Sequence, residues 1–262
     1  MTDSTEPASL FDSGIQEDAT PEIPIVSPMP SVPLSTKPSL GVGVGIDTRP
    51  LNIAERFRAM TTTQIREAIA PQQLPFAIMA VNITICLNIG NMIRSAILCG
   101  ASKFIVFGRR KIDARACVGA QNYITIEKLG AIPDASLIQF EELTAAETDD
   151  ILDSQAFIDF IIANNYLPVF IEQDKFSRPA TTGAIKDILQ RARTLGRTPL
   201  FIFGSEGFGI PRNLLDTRLR GGIDLSYTLE LKQRGCIRSF NVANCCSIIC
   251  YKVMEAFDEL DS

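Results

Sequence analysis

One stretch, Leu200–Pro211, reads LFIFGSEGFGIP and limits the fold more than any other. Leu200 to Phe203 form an apolar run suited to a buried strand. Gly204, Gly207 and Gly209 follow, and Pro211 suits the first position of a helix. A strand that ends in glycines exposes bare backbone, against which a ligand can lie without meeting a Cβ. In open α/β sheets, ligands bind beyond the carboxyl ends of strands. The stretch is therefore the expected site, with Glu206 as its one carboxylate. An ordinary strand-to-helix turn carrying a surface glutamate is the competing reading.

Composition narrows the chemistry. The chain has no histidine. That excludes histidine-based general acid–base catalysis, Ser-His-Asp and Cys-His nucleophiles, and histidine-bearing zinc sites. The seven cysteines include no C-x-x-C pair, and Cys86, Cys99, Cys245, Cys246 and Cys250 fall in apolar segments. They read as reduced core thiols of a cytoplasmic protein, and no metal is expected. No apolar run reaches the length of a membrane span. The start of the chain is acidic and has no hydrophobic signal core, although its Ser and Thr content leaves organellar targeting open.

Residues 1–50 carry seven acids against Lys37 and Arg49, which accounts for the whole net charge of −5. They also hold eight of the fifteen prolines, so this segment is expected to be a disordered tail. GVGVG at 41–45 reads as a hinge, since it lacks the Lys-Ser/Thr of a phosphate loop. Residues 51–262 form the folded domain, with a helical lead-in over 51–72 ended by Pro71 and Pro75.

Strands are expected at Phe76–Asn82, Lys103–Phe107, Tyr123–Ile126, Pro168–Gln173, Leu200–Phe203 and Gly222–Leu231. Helices are expected from Asn91 to Cys99, from Ser154 to Asn164, from Thr182 to Leu195 before Gly196, from Pro211 to Leu219, and from a Ser239 cap to Leu260. Residues 141–153 read as acidic loop or helix. The alternation implies an α/β fold, a parallel sheet with helices on both faces. Asn88 and Gly90 are placed in a loop at a helix N-terminus, where free N–H groups favour anions, with Arg94 in the first turn. Arg94 suits either a surface or interface salt bridge or a bidentate clamp on phosphate. Arg109, Arg110, Lys111 and Arg115, and Lys232, Arg234 and Arg238, are solvated basic loops or contacts to an RNA backbone.

Three stretches taken together resemble one family: NIGNMIRSAILCGASKFIV (Asn88–Val106), FIFGSEGFGIP (Phe201–Pro211) and SFNVANCCSIICYKV (Ser239–Val253). They are similar to the three motifs of the TrmH (SpoU) branch of the SPOUT superfamily, RNA ribose 2′-O-methyltransferases. The resemblance implies a C-terminal trefoil knot, S-adenosylmethionine (SAM) as cofactor, tRNA or rRNA as substrate, and a homodimer whose sites draw on both subunits. It assigns catalysis to Asn88, Arg94, Glu206, Ser239 and Asn241, and cofactor binding to Gly204, Gly209, Leu231 and Phe240. Leu231-Lys232-Gln233 departs from the usual Ile-Pro-Met, Phe240 from Leu and Ala243 from Ser. A related enzyme acting on a base nitrogen, or an inactive RNA-binding homodimer, are the alternatives.

Overall fold

The computed structural model describes residues 52–108, 112–129, 154–216 and 223–262. The tail, GVGVG, residues 141–153 and Arg109, Arg110 and Lys111 lie outside the described residues. Among those described, seven strands form one sheet: β1 (Leu74–Val81), β2 (Ala101–Phe107), β3 (Thr125–Leu129), β4 (Tyr166–Ile171), β5 (Arg178–Pro179), β6 (Thr198–Phe203) and β7 (Tyr227–Glu230). Their spatial order is β3-β2-β1-β6-β4-β7-β5, and every pairing is parallel.

Helices α1 (Thr62–Ile69), α2 (Cys86–Leu98), α3 (Ala114–Cys117), α4 (Ser154–Ala163), α5 (Thr182–Leu195), α6 (Arg212–Leu215) and α7 (Val242–Asp261) surround the sheet. The pleat divides them between its two faces. Phe76, Ile78, Ala80, Phe201 and Phe203 point into one core with α2, α5 and α7. Ala77, Met79, Val81, Leu200 and Ile202 point into the other with α4 and α6. Strands covered on both sides must be apolar throughout, which is why β1, β4 and β6 read as continuous apolar runs. The lead-in packs on the domain through buried Ile65 and through Arg66 Nε, which donates to the Asn122 carbonyl at 2.7 Å.

Three expectations are corrected. Helix α2 begins at Cys86, so Asn88 and Gly90 are helical and Arg94 lies in the third turn, not the first. Close packing requires glycine at 90: a Cβ there would lie 2.6 Å from Ala116 Cβ on α3 and 2.8 Å from the carbonyl oxygen of Asp113, the residue that caps α3. Helix α7 is capped by Asn241, two residues past Ser239. The strand expected at Tyr123–Ile126 is shifted to Thr125–Leu129, because Ala120–Asn122 closes a 3₁₀ turn first. The two-residue edge strand β5 was not foreseen.

Phe76 carries much of the larger core, with ring centroids 6.1 Å from Phe201 (edge-on) and 6.2 Å from Phe257 (stacked). Phe76→Ala is expected to cost about 3–5 kcal/mol, read as a lower denaturant midpoint at unchanged slope.

Candidate active site

The glycine stretch folds back on itself at the carboxyl end of β6. The Ser205 N–H donates to the Gly209 carbonyl and the Gly209 N–H to the Ser205 carbonyl, both at 3.0 Å. Gly204 lies so close beneath the Gly209–Ile210 peptide that a Cβ would overlap its backbone atoms. Gly209 has φ +72°, a conformation natural to glycine.

Glu206 reaches from this loop to the start of α2. The Thr84 N–H and hydroxyl donate to its Oε2 at 2.9 and 2.7 Å. The Ile85 N–H and Asn88 Nδ2 donate to its Oε1 at 3.3 and 2.7 Å. The anion expected at this helix N-terminus is thus the chain's own carboxylate. Because a carboxylate only accepts, Asn88 must turn its amide nitrogen toward it. Its Oδ1 then faces Asn241 Nδ2, which donates at 3.2 Å. Asn241 Oδ1 is left to cap α7, accepting from the N–H groups of Ala243 and Asn244 at 2.9 and 3.3 Å. One polar relay therefore joins the glycine loop, α2 and α7.

A cleft of about 230 Å³ opens beside this relay, at the carboxyl ends of β4, β6 and β7. Gly204, Glu206, Gly209, Leu231, Ser239 and Phe240 line it, as does Arg238. Asn88 and Asn241 join it through Glu206. Lys232 and Arg234 border an adjoining groove on the same loop. Arg94 does not line this cleft. It is exposed and borders a separate hollow of about 700 Å³ with Ile53, Leu98 and Met254. Arg115 is on α3, exposed and paired in bidentate fashion with Asp113 (Nη2–Oδ2 2.6 Å). Glu172, unremarked in the sequence, lines the cleft directly opposite Gly209. No signal in the sequence brings it there; the β4–β6 register does, setting Ile171 beside Phe203 and so Glu172 beside Gly204.

Set against known protein families, residues 75–251 match the model of the SpoU rRNA methylase family. The chain belongs to that family. Among solved structures, a TrmH/SpoU tRNA modifying enzyme from A. aeolicus aligns with a TM-score of 0.52 at 14% identity, covering 76% of this chain and 84% of that one. A probable methylase family protein from Haemophilus influenzae Rd KW20 aligns at 0.51 and 13%, covering 71% and 68%. AdoMet-bound rRNA methyltransferase from Sinorhizobium meliloti aligns at 0.48 and 19%, covering 73% and 59%. A comparison with curated proteins gives no match. At these identities the first two structures show a shared fold and no more. Among the described residues no cluster of three or more His, Cys, Asp or Glu side chains is arranged to hold a metal ion. No described helix is long and apolar enough to cross a membrane.

Burial raises the pKa of Glu206, but hydrogen bonds from Asn88, Thr84 and the backbone outweigh it and hold the carboxyl below its ordinary 4.5. A depressed folded pKa contributes stability that is present above the unfolded value and disappears as pH falls through the folded one. The stability gap between wild type and Glu206→Gln is therefore expected to be widest near neutrality and to narrow below about pH 4.5. Urea melts of the two proteins across that range check it.

Proposed function

We propose that this chain is a SAM-dependent RNA methyltransferase that methylates a ribose 2′-hydroxyl of tRNA or rRNA, and that it works in the cytoplasm as a homodimer. The observation that carries the reading is the relay from Glu206 through Asn88 to Asn241 at the rim of a glycine-walled cleft. It joins residues from all three family motifs at hydrogen-bonding distance.

The lining suits the cofactor. Ile171, Phe203, Leu231, Phe240 and Val242 offer apolar surface for a purine, and Glu172 and Glu230 offer negative charge toward a cation. When bound, SAM supplies a methyl group on a sulfonium that leaves as a neutral thioether, so little acid help is needed. Gly204, Gly209, Leu231 and Phe240 hold it, largely through backbone. The trefoil knot belongs to this reading: the 204–210 loop and the 231–241 loop, which would form it, both converge on the cleft.

The remaining task is to aim a weak nucleophile. Ser239, exposed in the cleft lining, and Asn241 orient the ribose. Arg94 is a guanidinium and keeps its proton, so it grips the phosphate beside the target sugar instead of acting as a base. Positioning of this kind can lower a barrier by up to about 7–11 kcal/mol. Lys232, Arg234 and Arg238, clustered on the loop beside the cleft, track the flanking RNA backbone. Arg109, Arg110, Lys111 and Arg115 extend that contact from the other basic segment.

Within one chain Arg94 does not line the cleft, and here the homodimer enters. Leu87 and Leu98 on the same helix are exposed, at 47% and 73%, as an apolar face that a second copy would cover. The second copy's Arg94 then completes the site. Subunit mixing tests this. Arg94→Ala and Glu206→Gln homodimers are each expected to be nearly inactive. Co-expressed, they should recover about a quarter of wild-type methyl transfer, since half the dimers are mixed and each mixed dimer holds one intact site. Activity no higher than that of either variant alone would overturn the shared site.

A further inference from the structure

Glu172 stands apart from the residues that the family motifs account for. It follows the last residue of β4, half-buried in the cleft wall. Its Oε2 accepts the Ile210 N–H at 2.8 Å and its Oε1 accepts the Gln173 N–H at 2.9 Å. It fills the space in front of Gly209, where a Cβ would collide with it. The carboxylate is thus held at a fixed point by two backbone donors, one from its own loop and one from the glycine loop.

Its situation differs from that of Glu206. Four donors converge on Glu206, two on each oxygen, so its lone pairs are spent within the protein. Each Glu172 oxygen accepts one backbone N–H in these contacts, which leaves acceptor capacity on a carboxylate that lines the cleft, with the Arg212 guanidinium also within electrostatic reach of it. The carboxylate charge is felt across the lining. The Cys245 thiol, also in the wall, is pushed up to about 12 by burial first and by the Glu172 charge second.

We propose that Glu172 sets the preference of the cleft for the charged methyl donor over the demethylated product. The inference rests on the SAM-binding reading above. At neutral pH, SAM carries one more positive charge than S-adenosylhomocysteine (SAH), because the sulfonium becomes a neutral thioether on methyl transfer. Apolar contacts and backbone hydrogen bonds treat the two molecules alike. Only a fixed charge distinguishes them, and the interaction of a carboxylate with a sulfonium is strengthened in a partly desolvated wall. A residue of this kind raises donor affinity and speeds product exchange without touching the sugar that is methylated.

The test is calorimetric titration of the full chain with SAM and, separately, SAH, for wild type, Glu172→Gln and Glu172→Asp. Glu172→Gln is expected to weaken SAM roughly five- to tenfold and SAH less than about twofold. Glu172→Asp keeps the charge and is expected to keep most of the wild-type SAM/SAH ratio, even if both affinities fall. Retained SAH binding also reports that each variant is folded. Equal losses for both ligands in Glu172→Gln, or no loss for either, would overturn the inference and leave the enzyme assignment standing. Wild type that binds neither molecule would overturn the assignment itself.

Discussion

The site depends on where one negative charge is buried. Glu206 is separated by 118 to 122 residues from the Thr84 and Asn88 groups that bind it, yet it accepts four hydrogen bonds there. A half-buried carboxylate without those donors would be costly, and the α2 N-terminus without an anion would leave N–H groups unmet. Each deficiency corrects the other. The pairing also decides the orientation of both asparagines, and through Asn241 it fixes the start of the longest helix in the described chain. The glycine loop, the α2 mouth and the α7 cap are consequently one unit, and the cleft is the space beside it.

This arrangement separates two duties that the motifs place side by side. Glu206, Asn88 and Asn241 spend their hydrogen bonds largely on one another. They are best understood as a frame that keeps the cleft open and aligned. On the proposed reading, the groups left to meet ligands are the backbone of the glycine loop, Ser239, the exposed amide of Asn241, the basic loop at 232–238, and Glu172. A scaffold with its polar groups already paired needs little reorganisation when ligand arrives, which is what a mechanism built on positioning requires.

Much of this was legible in the chain. The parallel sheet followed from apolar runs alternating with amphipathic segments, and the end of α5 followed from Gly196, which has φ +63° in the structure. The errors have local causes. Asn88-Ile89-Gly90 reads as a loop because Asn and Gly are weak helix formers, but close packing of α3 against Gly90 overrides that weakness. Ser239 and Asn241 are both good caps, and only the bonds from the Ala243 and Asn244 N–H groups to Asn241 Oδ1 show which one serves. Two-residue β5, ending in a proline at the sheet edge, has too little length to register as a strand. Glu172 could not be found from spacing, because its neighbours Gly209 and Ile210 arrive through strand register and not through sequence. Arg94 was singled out as a residue to explain, yet that it borders a different hollow from the cleft is visible only in three dimensions.

On the proposed reading, this frame aims a ribose oxygen at a methyl donor. The most direct measurement is to incubate the purified protein with methyl-labelled SAM and total RNA, digest the RNA to nucleosides, and identify the labelled species by mass spectrometry. Label is expected on the ribose of one nucleotide type, as a 2′-O-methylnucleoside. Label on a base nitrogen, or RNA that binds and acquires no label, would contradict it.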